Sequence, residues 1–350
     1  MKTRITELFG IKYPILLAGM NWGTKPRLVA AVSNAGGLGM LGAAAYSKDE
    51  LKKAIAEIRS LTDKPFAVNL TLLLPGAKEL VEIVLDAKVP VINYALGRAT
   101  EIIKAAHAYG GKIIATIAMV KHALYSEKDG ADAIIVTGYE AAAHSGNVGG
   151  LVLIPAVVRK LKVPVIATGG FTDGRGLVAA LALGAEGISM GTRFALTQEC
   201  TAHQIFKQRC LDATEEDTII SDRFDGVNCR VLRTKKAEAI AQRRFPLIES
   251  ISSMVRFKQE LNLPLWEVIR GGLRTAKAEG VSFTELPILA AGLAEMEKGI
   301  EYGDESHGLF LAGQGCGAVK DIPTVQELMD RIIAEAEAVL AATNQKFRSG

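Results

Sequence analysis

One histidine in a run of small residues is the side chain best suited to proton transfer in this sequence. His144 lies in the segment EAAAHSG at residues 140–146, just after an apolar run that ends at Thr137. Because imidazole gains or loses a proton near neutral pH, we predict that His144 is an active-site base or orienting group. The alternative is a loop histidine that binds a carbonyl oxygen. The other histidines fall on predicted helices or in the outer part of the chain and are predicted to be structural: His107, His122, His203 and His307.

Two apolar runs near the middle of the chain each end in a glycine turn. The first is VPVIATGG at residues 163–170 and the second is GISMGT at 187–192, with a helical pattern at 174–184 between them. This is the layout of the last two strands of a β/α barrel, where the loops after strands seven and eight commonly hold a phosphate on backbone N–H groups. The two turns therefore predict an enzyme with a phosphorylated ligand.

A buried amide is predicted at Asn69, inside the otherwise apolar run FAVNLT at residues 66–71. A buried amide must find hydrogen-bond partners. A planar ring with donors and acceptors at the barrel mouth would supply them, and so would a carbonyl group of a neighbouring strand or loop. Both interpretations stay open from the sequence.

Neither metal nor nucleophilic catalysis is predicted. The histidines lack HExxH spacing and no carboxylate pair is arranged with them in the sequence, so no metal site is expected. Cys200 falls at a predicted helix start, which would stabilise a thiolate, but it follows the last barrel strand and has no adjacent histidine. We predict that Cys200 is structural, and the chain has no GxSxG elbow.

These residues need a scaffold, and the hydrophobic pattern predicts a TIM (β/α)8 barrel. Apolar, β-branched runs alternate with helical segments, which is the signature of βα units and a parallel sheet. Eight strands are predicted, at Pro14–Met20, Leu38–Gly42, Phe66–Leu72, Val89–Leu96, Lys112–Ile117, Ala133–Gly138, Val163–Gly170 and Gly187–Thr192. Seven helices are predicted between them, at Lys25–Ala35, Lys48–Leu61, Ala77–Ala87, Thr100–Tyr109, Val120–Asp129, Leu151–Leu161 and Gly174–Leu183. A doubly wound open sheet is the rival, but eight even units that close on a glycine phosphate turn favour the barrel.

The alternation of strands and helices stops after Thr192. The next helix is predicted at Glu199–Leu211, and the chain divides into a β/α barrel at residues 1–213, a small and mostly helical lid at 214–310, and a C-terminal segment at 311–350 that returns to the barrel. Within the lid we predict a strand at Asn228–Leu232 and helices at Leu263–Lys277 and Phe283–Lys298; a last helix is predicted at Thr324–Ala341.

Composition excludes several classes of function. Apolar residues make up 49% and charged residues 23% of the chain, the net charge is +3, and no basic block stands out, so nucleic-acid binding is not expected. No apolar run reaches the length of a membrane span, and the charged N-terminus, read as leading straight into a strand, argues against a secretory signal. Four scattered cysteines predict reduced thiols in a cytoplasmic protein. The expected partner is a small-molecule substrate, and a homodimer is left open.

Four stretches together resemble the nitronate monooxygenase (2-nitropropane dioxygenase) family. They are ITELFGIKYPI at residues 5–15, AAVSNAGGLG at 30–39, EAAAHSG at 140–146 and GTRF at 191–194. The FMN-dependent enoyl-ACP reductases belong to the same superfamily and share these signatures. The match covers about residues 3–210 and resumes at 312–317, and its motifs specify the superfamily rather than one reaction.

The resemblance implies an FMN-binding barrel with a lid and assigns residues by position. The flavin phosphate would lie on backbone groups of the two glycine turns, lined by two residues of the last strand: Gly169, Gly170, Gly191 and Thr192, with Ser189 and Met190. The flavin ring would be held by Gly19, Met20, Asn69 and Thr137, and His144 matches the active-site histidine. This chain has Ala142-Ala143 where relatives usually have two glycines, and Ser189 where they often have Gln.

The resemblance leaves more than one reaction open. In the first, FMN oxidises an alkyl nitronate and passes electrons to O₂, with His144 as base or orienting group. In the second, FMN takes a hydride from NAD(P)H and reduces an enoyl thioester or a quinone. A third reading is a flavin-binding barrel without turnover. The first is placed ahead on family resemblance, with NAD(P)H as co-substrate only in the second.

Overall fold

Eight parallel strands form a closed barrel in the computed structural model, which describes residues 1–74, 76–242 and 286–348. The barrel strands are β1 (Ile15–Leu17), β2 (Gly39–Gly42), β3 (Phe66–Thr71), β4 (Val91–Ala95), β5 (Lys112–Ile117), β6 (Ala133–Thr137), β8 (Val165–Thr168) and β9 (Gly187–Met190). They pair in the order β1-β9-β8-β6-β5-β4-β3-β2. The ring closes through Leu38, which donates to the carbonyl of Ile15 and accepts from the amide of Leu17, both at 3.0 Å. The predicted TIM barrel is therefore confirmed over the open sheet.

Helices surround the barrel close to the predicted positions. Those of the βα units are α2 (Pro26–Asn34), α3 (Lys48–Leu61), α4 (Ala77–Asp86), α5 (Thr100–Ala108), α6 (Val120–Asp129), α7 (Gly150–Val158) and α8 (Gly174–Ala182). The chain opens with a further helix, α1 (Arg4–Phe9), so the expectation that the N-terminus leads straight into a strand is wrong. Thr3 caps this helix by accepting from the amide of Thr6, and Gly10 ends it with a φ of 67°.

The helix predicted from Glu199 begins later than expected. The single turn α9 (Thr192–Ala195) follows β9, and α10 runs from Gln204 to Asp212. The side chain of His203 caps α10 by accepting from the amide of Ile205 at 3.2 Å. The residues before this cap are irregular, but their sequence pattern resembles that of a helix. The predicted helix therefore began too early, at Glu199.

A small antiparallel sheet lies beside the mouth of the barrel. It consists of β10 (Thr218–Ser221), β11 (Cys229–Leu232) and β7 (Ala143–His144), in the order β10-β11-β7. His144 is thus part of a two-residue strand and not of a free loop, because β11 pairs with it across the sheet. The described remainder of the predicted lid contains α11 (Lys235–Ala241) and α12 (Leu286–Ile300).

The other lid predictions have different outcomes. The strand expected at Asn228–Leu232 matches β11, and the C-terminal part of the helix expected at Phe283–Lys298 matches α12. The helix predicted at Leu263–Lys277 and residues 283–285 lie outside the described residues. The domain boundaries at 213 and 310 remain predictions.

The C-terminal helix packs against helix α8 of the barrel. This helix, α13 (Val325–Arg348), begins after a reciprocal cap, in which Thr324 Oγ1 accepts from the amide of Glu327 and a Glu327 carboxylate oxygen accepts from the amide of Thr324. Gly174, the first residue of α8, lies so close to α13 that a Cβ there would be 2.4 Å from the amide nitrogen of Ala336. Within the residues that the structure describes, every helix is too short or too polar to cross a bilayer.

Candidate active site at the barrel mouth

The two glycine turns lie side by side at the carboxyl ends of β8 and β9. Thr168 pairs with Ser189 in the parallel ladder, and its hydroxyl donates to the Ser189 carbonyl at 2.8 Å. Gly169 and Gly170 have φ values of 105° and 79°. L-residues rarely adopt this conformation, which explains why two consecutive glycines stand here.

The two glycine turns offer backbone N–H donors that have no acceptor within the described protein. In the described part of the chain, the amide groups of Gly169, Gly170, Gly191 and Thr192 donate to no protein acceptor. Four such amides at the carboxyl ends of adjacent strands suit the oxygen atoms of a phosphate. The arrangement therefore fits the phosphate end of a nucleotide cofactor.

A segment near the C-terminus covers the same turn. The amide of Gly313 donates to Thr192 Oγ1 at 3.0 Å, and a Cβ on Gly315 would lie 3.2 Å from the carbonyl oxygen of Gly170. Gly313 and Gly315 were not predicted as site residues, although the GQGCG motif at 313–317 was noted for its resemblance. The positive φ of Gly170 and this close approach explain the clustering of glycine in both segments.

Three predicted ring-binding residues lie close together: Gly19 and Met20, which follow β1, and Asn69 on β3. A Cβ on Gly19 would lie 2.4 Å from Asn69 Cβ, and a Cβ on Gly191 would lie 3.4 Å from the Met20 sulfur. The backbone of Gly19 therefore packs directly against the Asn69 side chain. A side chain at position 19 would overlap the Asn69 side chain, so glycine is required for this close contact.

The remaining predicted contacts lie at strand ends and are buried. Ser189 and Met190 belong to β9 and Thr137 ends β6; all three are less than 10% exposed. Thr137 pairs with Thr168 across the β6–β8 ladder, so it lies one strand away from the glycine turn. Their contacts with a flavin stay predictions.

A line of hydrogen bonds crosses three strands inside the barrel. Thr116 Oγ1 donates to Asn93 Oδ1 at 2.9 Å, and Asn93 Nδ2 donates to Asn69 Oδ1 at 2.8 Å. The sequence left two kinds of partner open for Asn69: a bound planar ring, or a carbonyl of a neighbouring strand or loop. The structure gives the Asn69 side-chain oxygen a partner on the neighbouring strand, and this partner is the amide side chain of Asn93. The Asn69 nitrogen remains as a donor beside Gly19.

His144 is paired with a buried carboxylate that sequence spacing did not reveal. Its Nε2 lies 2.6 Å from Asp225 Oδ2, and the Asp225 side chain is fully buried while 31% of the His144 side chain is exposed. The two residues are 81 positions apart, so only the fold brings them together. The expectation from the sequence concerned only a carboxylate pair near the histidines in the sequence, and it did not predict this single distant partner.

Cys229 adds a sulfur atom to this pair. It lies opposite His144 in the β7–β11 ladder, and one donor atom from each of His144, Asp225 and Cys229 falls within 4.8 Å of the others. Burial, with the charge of Asp225, raises the pKa of the Cys229 thiol well above 9. The thiol is therefore protonated at neutral pH, and a metal would have to displace its proton, so the expectation of no metal site stands as a prediction.

A buried arginine fixes the chain that leads to His144. Arg230 pairs with Ala143 across the ladder, stacks at 4.5 Å on the Tyr139 ring and donates to the Tyr139 carbonyl at 2.9 Å. Ala143 has a φ of 55°, a value that favours glycine. Alanine here therefore keeps the glycine-type backbone at the cost of local strain.

Two other polar groups near the mouth have structural partners. Both carboxylate oxygens of Glu140 accept from the amide of Gly150, at 2.9 and 3.0 Å, so Glu140 caps α7. The thiol of Cys200 is buried and donates to the Gly23 carbonyl at 3.3 Å, and burial raises its pKa. Cys200 is thus poorly suited to be a nucleophile, in agreement with its predicted structural role.

A TIM barrel with an unused set of amides at its two glycine turns and a histidine at its mouth fits a class of cofactor-binding barrel enzymes. The nitronate monooxygenase family model matches residues 2–81 and 75–335. The chain belongs to this family and is an oxidoreductase of a flavin-dependent kind.

Several relatives match over most of their length. The chain is 36% identical over 338 residues to the (3aS,4S,5R,7aS)-5-hydroxy-7a-methyl-1-oxo-octahydro-1H-indene-4-carboxyl-CoA dehydrogenase of Rhodococcus jostii (strain RHA1), covering 96% of each chain. It is 34% identical to a protein named probable nitronate monooxygenase from Staphylococcus saprophyticus, covering 66% of this chain and 78% of the relative. The structure of FabK from Thermotoga maritima is similar with a TM-score of 0.85 and 34% identity, covering 99% of both chains.

Proposed function

We propose that the protein is an FMN-dependent oxidoreductase whose substrate is a coenzyme A thioester. The extent of the match supports the thioester: the relative that is a carboxyl-CoA dehydrogenase aligns with 96% of both chains, lid and C-terminal segment included. The nitronate monooxygenase relative aligns with 66% of this chain. Because the nitronate monooxygenase family model also spans the predicted lid, at residues 75–335, the choice of a thioester rests on this full-length relative and on the chemistry of the His144–Asp225 pair.

The glycine turns support FMN as the cofactor. The free amides of Gly169, Gly170, Gly191 and Thr192 would bind its phosphate, next to Ser189 and Met190. Gly19, Met20, Asn69 and Thr137 would hold its ring, with the Asn69 nitrogen as a donor. Bound FMN would supply hydride transfer.

The His144–Asp225 pair is the single observation that carries the proposed chemistry. A carboxylate beside a partly exposed imidazole is the arrangement of a general base. In the proposed reaction the thioester substrate would lose one hydride and one proton: FMN, when bound, would supply the hydride acceptor, and His144 would take the proton. In the reverse direction His144 returns that proton to the substrate. The pair can act as a general base only toward a substrate that still carries a C–H or O–H proton to be removed.

Nitronate oxidation is the second candidate, because the family model and the staphylococcal relative carry that name. A nitronate is an anion that has already lost its α-proton, so it needs a positive binding group more than a base. The negative charge of Asp225 offsets the charge of a protonated His144 and weakens its attraction for an anion. This argument places the thioester ahead of the nitronate, in contrast to the order expected from the sequence.

Anaerobic bleaching of the flavin tests the proposal. The protein is purified, reconstituted with FMN and mixed separately with butyryl-CoA, 3-hydroxybutyryl-CoA, ethyl nitronate, NADH and NADPH. Bleaching by a CoA thioester, or rapid bleaching by a nicotinamide followed by reoxidation with crotonyl-CoA, supports the proposal. Bleaching by ethyl nitronate alone would replace it with the second candidate.

Two further outcomes have a defined meaning. A flavin that stays oxidised with all five compounds favours a binding barrel without turnover, and failure to bind FMN rejects every flavin proposal. His144→Ala should lower turnover far more than FMN affinity, whereas His122→Ala, on α6, should change neither. Equal loss of both properties in His144→Ala would make His144 structural.

A further inference from the structure

A fully buried carboxylate stands beside the histidine at the mouth. Asp225 lies on the turn between β10 and β11, and the described part of the chain gives it one ion-pair partner, His144. We infer that Asp225 is a positioning residue: it holds the His144 ring through Nε2, and helix α12 of the predicted lid keeps the carboxylate in place. The inference deepens the proposed function, on which its kinetic part rests.

The hydrogen bonds of Asp225 define which ring atom of His144 is free. Asp225 Oδ2 lies 2.6 Å from His144 Nε2, and Oδ1 accepts from the amide of Val227 at 3.2 Å. A carboxylate is an acceptor, so Nε2 carries the proton and Nδ1 is left to exchange a proton with a substrate. The burial of Asp225 makes this bond hard to give up, because a buried charge without a partner is costly.

The groups around the pair do not compete for the carboxylate. The Cys229 thiol faces His144 from β11, and burial raises its pKa well above 9, so it stays neutral. The neighbouring Arg230 guanidinium donates to the Tyr139 carbonyl and to Thr218 Oγ1, at 2.9 and 2.7 Å. Within the described residues, His144 is therefore the ion-pair partner of the Asp225 carboxylate.

Helix α12 sets the position of the turn that carries Asp225. A Cβ on Gly292 would lie 2.2 Å from the Phe224 carbonyl oxygen and 2.7 Å from Asp225 Cβ. Contacts this short do not occur between real atoms, so any side chain at this position must displace the helix or the turn. The glycine thus lets the helix backbone lie directly on Asp225, and this contact links the predicted lid to the active-site histidine.

Removing the carboxylate tests the inference on the FMN-loaded protein. In ¹⁵N-histidine NMR spectra the wild type should give a downfield, slowly exchanging Nε2 proton for His144, and Asp225→Ala should lose it. The variant should lower kcat about 100-fold, at the low end of what a positioned acid or base contributes, with KM and FMN affinity within threefold. Asp222→Ala, an exposed carboxylate of the same turn, is the matched control and should match the wild type.

A second variant keeps the carboxylate and moves it. Gly292→Ala should weaken the same NMR signal and lower kcat. If Asp225→Ala does not fold, this variant still tests whether Asp225 positions the His144 ring. An unchanged Nε2 signal in both variants, or wild-type kcat in a variant that has lost the signal, would overturn the inference. The NMR measurement needs no substrate, so a failure of the proposed thioester reaction leaves the Asp225–His144 result to be judged separately.

Discussion

Asn93 donates through Nδ2 to Oδ1 of Asn69 over 2.8 Å, inside the barrel and between adjacent strands. Thr116 donates in turn to Asn93 Oδ1, so the bonds run in one direction from β5 to β3. This direction occupies the Asn69 oxygen and leaves its nitrogen as the donor. An FMN ring beside Gly19 would therefore receive a hydrogen bond from Asn69, which suits an acceptor atom that gains negative charge on reduction.

Replacing Asn93 should weaken FMN binding without touching the cofactor. Asn93→Ala removes the bond that orients the Asn69 amide, and the loss of one such bond costs about 0.5–1.5 kcal/mol. We expect the Kd for FMN, measured by quenching of flavin fluorescence, to rise about 3- to 10-fold. The control is Asn34→Ala at the end of α2, an exposed amide that donates to the Leu61 carbonyl. Equal changes of Kd in the two variants would contradict this role for Asn93.

The proposed phosphate-binding role of the turn at Gly169 and Gly170 can be tested with two glycines of similar conformation. Gly170 has a φ of 79° and Gly10, which ends α1, has a φ of 67°. Alanine at either position adopts a left-handed conformation that costs about 1 kcal/mol, so both variants should lose similar stability in urea unfolding. Only Gly170→Ala should also lose FMN affinity, by tenfold or more. Normal FMN affinity in Gly170→Ala would remove this turn from the cofactor site.

Most of the barrel was predictable because its signals are local. The spacing of apolar runs gave all eight strands, and α3 and α6 have the predicted ends at Lys48–Leu61 and Val120–Asp129. The errors fall where irregular chain has a helical or loop-like composition: the late start of α10 at Gln204 and the short strand at Ala143–His144. A two-residue strand has no periodicity of its own and exists because β11 pairs with it.

The partners of the site residues were harder to predict than the residues themselves. His144 and the glycine turns carry signals in residue type and in their place after strands. Asp225 carries none, because an acidic residue in a turn is usually exposed, and its burial depends on α12 packing over Phe224 and Asp225. Asn93 stands in an apolar strand, as Asn69 does, and the prediction from the sequence did not connect the two, although buried amides in adjacent strands are a usable signal of such a contact.

The two alanines before His144 should respond to glycine in opposite ways. Ala143 has a φ of 55°, so Ala143→Gly relieves the left-handed strain and should raise the free energy of unfolding by up to about 1 kcal/mol. Ala142 has no such conformation, so Ala142→Gly should lower it by about 0.5–1 kcal/mol through the flexibility of the unfolded chain. Urea unfolding measures both. A loss of stability in Ala143→Gly would show that the left-handed conformation carries no strain.

Tyr46 should make the protein sensitive to alkaline pH. Burial, with the nearby charge of Glu301, raises the pKa of Tyr46 to about 12, against about 10 in an unfolded chain. Between these values the unfolded state loses the phenol proton while the folded state keeps it, so this group stabilises the fold below pH 10 and its contribution falls as pH rises toward 12. Tyr46→Phe should therefore lose less stability than the wild type between pH 10 and pH 11.5 in urea unfolding. Lys25, which contacts the ring and pairs with Glu301, is present in both proteins. Tyr302→Phe, at an exposed ring, should keep the wild-type slope, and a Tyr46→Phe slope equal to that of the wild type would show that the phenol does not titrate abnormally.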